Sequence, residues 1–169
     1  MTWDFATAGE NASDTEAPRR EFLTCRLGDE TYGIDILKVQ EIREIDVVTR
    51  VPRVAPYVRG VINLRGAIVP IVDLGLMFGF PEAIALKAAS AIVLNVEGRL
   101  VGLVVASVSD VIALAEDEMV PAPEMAGRAI GAAVEAIGTS RAIAGEEPAV
   151  SVLLLDVNHL MGRIREERA

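Results

Sequence analysis

The chain repeats itself. Residues 22–42, FLTCRLGDETYGIDILKVQEI, lie without a gap over residues 91–111, AIVLNVEGRLVGLVVASVSDV, at a constant offset of 69. Leu27 falls on Val96, Tyr32-Gly33-Ile34 on Val101-Gly102-Leu103, Val39 on Val108, Glu41 on Asp110 and Ile42 on Val111. A second stretch, IVPIVDLGLMF (68–78), lies over SVLLLDVNHLM (151–161) at an offset of 83. It pairs Val69 with Val152, Asp73 with Asp156 and Met77 with Leu160. The change of offset from 69 to 83 implies 14 extra residues in the second copy. The Ala- and Gly-rich segment 127–148 is the natural place for them. A chain of this kind has to fold as two versions of one module.

The module reads as all-β. EFLTCRL (21–27), a turn at Gly28-Asp29-Glu30, and TYGIDI (31–36) have the signature of a hairpin. The apolar spacing of ILKVQEI (36–42) suits one short helical turn that feeds a strand through REIDVVTRV. VINL and AIVPIVDL form a further strand pair around Arg65-Gly66, and LGLMFGF (74–80) is a short helix ending at Pro81. Five short, bent strands per copy close most readily as a small barrel, which also removes exposed edges. Hydrophobic residues make up 51% of the chain and aromatics 4%, so Val, Ile, Leu and Ala build the core. Modules of roughly 65–80 residues are marginal alone, so the two are expected to share an apolar interface.

The ends read differently. Residues 1–20 are polar, small and acidic, closed by Pro18 and two arginines, which predicts a disordered tail. They lack the basic and apolar regions of a signal peptide. Asn11-Ala12-Ser13 matches a glycosylation sequon that the missing secretion signal discounts. No apolar run reaches the length of about 18 residues that a membrane span needs. A single cysteine, Cys25, permits no intramolecular disulfide, and a cytoplasmic location is expected. HLMGRIREERA (159–169) predicts a short helix fraying into a charged tail at 162–169.

Little here can do chemistry. The chain has one His and one Cys. Cys25 sits in mid-strand as a buried structural thiol, and His159 suits packing or surface better than catalysis. No zinc-ligand cluster and no phosphate- or dinucleotide-binding motif occurs, so neither metal nor cofactor is expected. Asp73 and Asp156 end equivalent strands before an apolar turn, where helix N-caps belong. A net charge of −9 argues against generic binding to nucleic acid or anionic lipid, and seven aromatics leave few stacking platforms.

What remains is the placement of charge. No acidic residue lies between Asp46 and Asp73, a window holding Arg50, Arg53, Arg59 and Arg65. Two readings stand: scattered surface arginines, or a basic face for an acidic protein partner. Arg65 interrupts VINLRGAIVPIVDL (61–74), an otherwise apolar stretch. A guanidinium is always charged, so it belongs in the Arg65-Gly66 turn, where glycine supplies positive φ and the arginine is held at the tip. The tip suits recognition, although any polar residue would serve a turn.

LGDETYGIDILKVQEIR and NLRGAIVPIVDL, with the looser VSDVIAL in the second half, resemble the CheW family of bacterial chemotaxis coupling proteins, from about Glu21 to Met161. The resemblance implies two five-stranded, SH3-like barrel lobes, about 21–88 and 89–161, with exchange of elements between them left open. It implies no enzymatic activity. It also implies an adaptor that joins the cytoplasmic tip of methyl-accepting chemoreceptors to the regulatory domain of the histidine kinase CheA, with other copies contacted in rings. The family's receptor-facing positions match Val39, Glu41, Arg59 and Arg65, with Asn63 and Gly66 in the same loop. Val39 as plain core and Glu41 as a solvated turn residue stay open. The rival readings are a scaffold of a non-chemotaxis chemosensory pathway, an adaptor half of a CheV-type protein, a small-barrel nucleic-acid binder and an enzyme without recognisable machinery.

Overall fold

The computed structural model describes residues 18–45, 47–122, 133–140 and 150–166. The expected hairpin forms from β1 (Arg19–Leu27) and β2 (Glu30–Asp35), with Gly28 at φ +63° in its turn. A single 3-10 turn, Ile36–Lys38, capped by the Asp35 side chain, leads into β3 (Val39–Glu44). β4 (Val58–Leu64) and β5 (Ala67–Asp73) flank Arg65-Gly66, and α1 (Leu74–Met77) follows. The second copy supplies β6 (Ser90–Val96), β7 (Arg99–Val105), β8 (Ser107–Ala115), β9 (Met119–Pro121), β10 (Val134–Ser140), β11 (Val150–Leu155) and α2 (Val157–Glu166).

The strands assemble into two sheets, ordered β8-β1-β2-β11-β10-β9 and β3-β6-β7-β5-β4. Neither sheet comes from one half of the chain. The β1–β2 hairpin of the first copy completes the sheet of the second, and β6–β7 completes the sheet of the first. Each exchanged hairpin is seated by a short parallel pairing: Ile71 registers on Gly102 in β5–β7, and Leu154 on Gly33 in β11–β2. These pairs are equivalent under the repeat. A Cβ on Gly102 would lie 2.7 Å from Ile71 Cδ1, and one on Gly33 2.8 Å from Leu154 Cδ2. Glycine is there because the neighbouring side chain fills the space.

The largest apolar cluster lies between the sheets, drawing on both. Leu23, Cys25 and Leu27 of β1 face the same layer as Ile92, Leu94 and Val96 of β6. Tyr32 and Ile34 of β2 answer Val101 and Leu103 of β7. Leu74, Met77 and Phe78 at α1 answer Val157, Leu160 and Met161 of α2. The smaller barrel interiors sit on the opposite faces: Phe22, Ile112, Leu114, Val152 and Leu154 in one, and Ile71, Ala91, Val104 and Val69 among those of the other.

Four expectations change. The tail does not extend to residue 20: Arg19 and Arg20 pair with Ala115 and Leu114 in the β1–β8 ladder, and Arg20 reaches Asp35 at 3.2 Å and stacks over Phe22. Residues 1–17 lie outside the described residues. The third strand stops at Glu44 instead of running on to Val51. Among the described residues of this loop only Thr49 rejoins the sheet, by an isolated bridge to Val61. The charged tail expected from 162 is helical as far as Glu166, since Ile164 still packs into the core. Finally, the extra residues of the second copy are not one block. β4 begins at Val58 and β10 at Val134, an offset of 76, so half of the insertion precedes β10 and half follows it. The backbone bonds from Asp73 N–H to Tyr57 and from Asp156 N–H to Ala133, both 2.7 Å, keep that same offset.

Two outcomes follow from this packing. Gly102→Val should lower the free energy of urea unfolding by about 2–3 kcal/mol through overpacking against Ile71. An unchanged midpoint would mean that the end of the Ile71 side chain turns aside without cost. Burial pushes the Cys25 thiol up to about 12, so in the native protein it should resist a disulfide reagent at mildly alkaline pH and react only on unfolding.

Candidate functional site

The turn after β4 is fixed by its own residues. Arg65 and Gly66 both have positive φ, 51° and 90°, as a type I′ turn requires. The Gly66 N–H donates to Asn63 Oδ1 at 2.8 Å. Leu64 just before it is buried, so the strand is anchored while Arg65 stands clear. The β6–β7 turn repeats the device: Glu97 and Gly98 have φ 53° and 82°, and the Gly98 N–H donates to Asn95 Oδ1 at 3.0 Å. Since β5 and β7 run parallel, both tips emerge at the same end of the five-stranded sheet.

Glu41 comes to this turn from the far side of the strand order. β3 and β4 are the two ends of that order, and Arg65 Nη2 donates to Glu41 Oε1 at 2.8 Å, joining them. A bulge in β3 aims the residues. Val39 stands opposite Leu94 and Glu41 opposite Val93, so the two side chains leave the strand on different faces. Val39 packs against the layer between the sheets, and Glu41 lies on the side of Val93. The equivalent Asp110 in β8 is held otherwise: the Thr24 hydroxyl donates to its carbonyl at 3.0 Å and accepts from its N–H at 3.1 Å. Only the first copy presents an acid-arginine pair here among the described residues, with Arg65 67% exposed and Glu41 28%. Ile68, the cross-strand partner of Asn63 beside this turn, is also exposed, as is Leu37 in the 3-10 turn that leads into β3.

Arg59 is not part of this group. It lies at the other end of β4, about 20 Å along the strand from Arg65. Its Nη1 donates to the Ile84 carbonyl at 2.7 Å and lies 3.3 Å from Asp73 Oδ2. Asp73 is fully buried, and it is more than the helix cap expected from the sequence. Oδ1 accepts from Leu76 N–H at 3.0 Å, as the cap of α1, while Oδ2 accepts from Ile84 N–H at 2.8 Å. One carboxylate thereby ties β4, α1 and the loop before β6. Asp156 caps α2 in the same way, accepting from His159 N–H at 3.0 Å. In that copy the position of Arg59 holds Glu135, whose carboxyl is raised above its ordinary value by burial, with Arg20 at 3.6 Å opposing. Local spacing gave no sign that Asp73 and Arg59 would meet. Among the described residues no group of three or more His, Cys, Asp or Glu is placed to hold a metal ion, and no helix is long and apolar enough to cross a membrane.

Paired barrels with exchanged hairpins, rigid turn tips and an ion pair across the closing edge define a scaffold that displays surfaces to partners. The CheW-like domain family matches residues 21–165. A chemotaxis protein CheW of Klebsiella aerogenes is 48% identical over 121 residues, 72% of either chain. One from Rhizobium meliloti is 39% identical over 107 residues, 63% of this chain and 69% of its own. The crystal structure of the scaffolding protein TtCheW from Thermoanaerobacter tengcongensis superposes with a TM-score of 0.72 at 27% identity, covering 82% of this chain and 90% of the other. The chain belongs to the CheW-like family and is a non-catalytic adaptor of chemotaxis signalling.

The two arginines should part company under mutation. Arg65→Ala removes an exposed pair worth at most about 1 kcal/mol and should barely move the urea midpoint. Arg59→Ala takes a charged partner from the buried Asp73 and should cost about 1–3 kcal/mol. The reverse order would mean that Arg65, not Arg59, holds the barrel together.

Proposed function

We propose that this adaptor links the cytoplasmic tip of methyl-accepting chemoreceptors to the regulatory domain of the histidine kinase CheA, working in the cytoplasm at membrane-bound receptor arrays. The receptor is read at the Glu41–Arg65 edge. The observation that carries this reading is the 2.8 Å pair between two sheet ends, built on a type I′ turn whose shape Asn63 and Gly66 dictate. A rigid turn holds a polar group in place at little entropic cost, which suits recognition. Val39 supports the face from the inter-sheet core, beside the exposed Leu37 that offers apolar area to a helical hairpin. Arg59 contributes as a brace through Asp73, keeping β4 and its turn in register. The kinase occupies a separate surface, and further copies of the adaptor extend the contacts into rings.

Binding of the full chain to a purified receptor cytoplasmic fragment and, separately, to the CheA regulatory domain tests this. Arg65→Ala should weaken receptor binding by about tenfold or more while kinase binding stays as it was. Equal loss of both partners, or of neither, would sink the assignment.

A further inference from the structure

At the other end of β4 from Arg65, Arg50, Arg53 and Arg59 line a cavity of about 290 Å³ whose walls include Val51, Val54 and Val58. Arg50 and Arg53 are exposed, and neither makes an ion pair with any described residue. Arg59 spends only Nη1 on Asp73 and Ile84. In a chain of net charge −9, no acidic residue occurs from 47 to 72. The loop is nonetheless firmly placed. Thr49 and Val61 exchange backbone bonds of 2.9 and 2.8 Å, and Arg53 holds a left-handed backbone, φ 61°, that a long side chain rarely adopts.

We propose that this cavity receives an acidic segment of a partner protein, offering carboxylates to Arg50 and Arg53 and an aliphatic side chain to the valine wall. Guanidinium forks match carboxylates with two parallel bonds. Val51, Val54 and Val58 between the arginines offer a peptide side chain contacts that a bare inorganic anion cannot use, and the overall negative charge repels nucleic acid. This surface is distinct from the Glu41–Arg65 edge, so the two assignments fail independently.

The probe is a short fluorescein-labelled peptide of alternating glutamate and leucine, titrated with the full chain and followed by anisotropy. Arg50→Gln combined with Arg53→Asn should weaken binding by about tenfold or more, asparagine being chosen because it tolerates the left-handed backbone. Both positions are exposed, and an unchanged melting temperature checks that the variant is folded. Arg43→Gln, an exposed arginine on β3 outside the cavity, should leave binding unchanged, and a glutamine version of the peptide should not bind. Equal loss from Arg43→Gln would reduce the effect to diffuse charge and overturn the proposal. Displacement of the peptide by millimolar phosphate would make this a small-anion site instead. Equally tight binding of an oligonucleotide would overturn it as well.

Discussion

The apolar layer between the two sheets is the interaction on which the rest of the molecule depends. Each barrel interior is small, a handful of aliphatic side chains, whereas the shared layer takes alternate residues from β1, β2, β6 and β7 and one face of each helix. Fully burying one such side chain contributes roughly 1.5–3 kcal/mol. Most of the burial therefore exists only when both halves are present. The exchange of hairpins follows naturally: the strands richest in layer-facing residues are also those that cross from one copy to the other.

Seating those hairpins sets the remaining constraints. Gly33 and Gly102 give up their side chains so that Leu154 and Ile71 can lie across them. Asp73 at the end of β5 and Asp156 just after β11 turn the chain from the strands that make these parallel contacts into the helices that roof the layer. The candidate site stands on the same frame. The bulge in β3 sends Val39 to the layer and Glu41 to the other face, so the residue that anchors the strand and the residue that meets Arg65 are neighbours with opposite tasks.

Much of this was legible in the residues. The constant offset between 22–42 and 91–111 revealed the duplication, and Arg65-Gly66 between two apolar strands announced a tight turn. Asp73 and Asp156 cap their helices as their positions suggested. What failed to show was anything decided by long-range pairing. The repeat is the same whether a hairpin folds back on its own copy or onto the other, so sequence alone left the exchange open. Strand β10 was hidden in an Ala- and Gly-rich stretch that carries little strand propensity. Arg59 read as one cation of a basic window and, by the family resemblance, as a receptor-facing position. Its commitment to Asp73, fourteen residues on, depends on β4 and β5 lying side by side. The mate of Glu41 was equally unreadable, because the two residues sit at opposite ends of a strand order that only closure brings together.

The exchanged connectivity also bears on how the chain is made. The first hairpin is complete by Asp35, yet β11, which flanks β2, ends only at Leu155. At synthesis rates of about 5–20 residues per second, the ribosome needs roughly 6–24 s to cover that interval. Throughout it, β2 has one backbone edge without its strand, and until β6 and β7 are complete at Val105 the apolar face of the hairpin has no layer to enter. Strand edges left open are templates for the wrong neighbour. A nascent chain of this architecture thus passes through a period in which a second nascent copy could supply the missing strand, and the short, glycine-centred parallel pairing, which admits only a closely fitting partner, limits what can take that place.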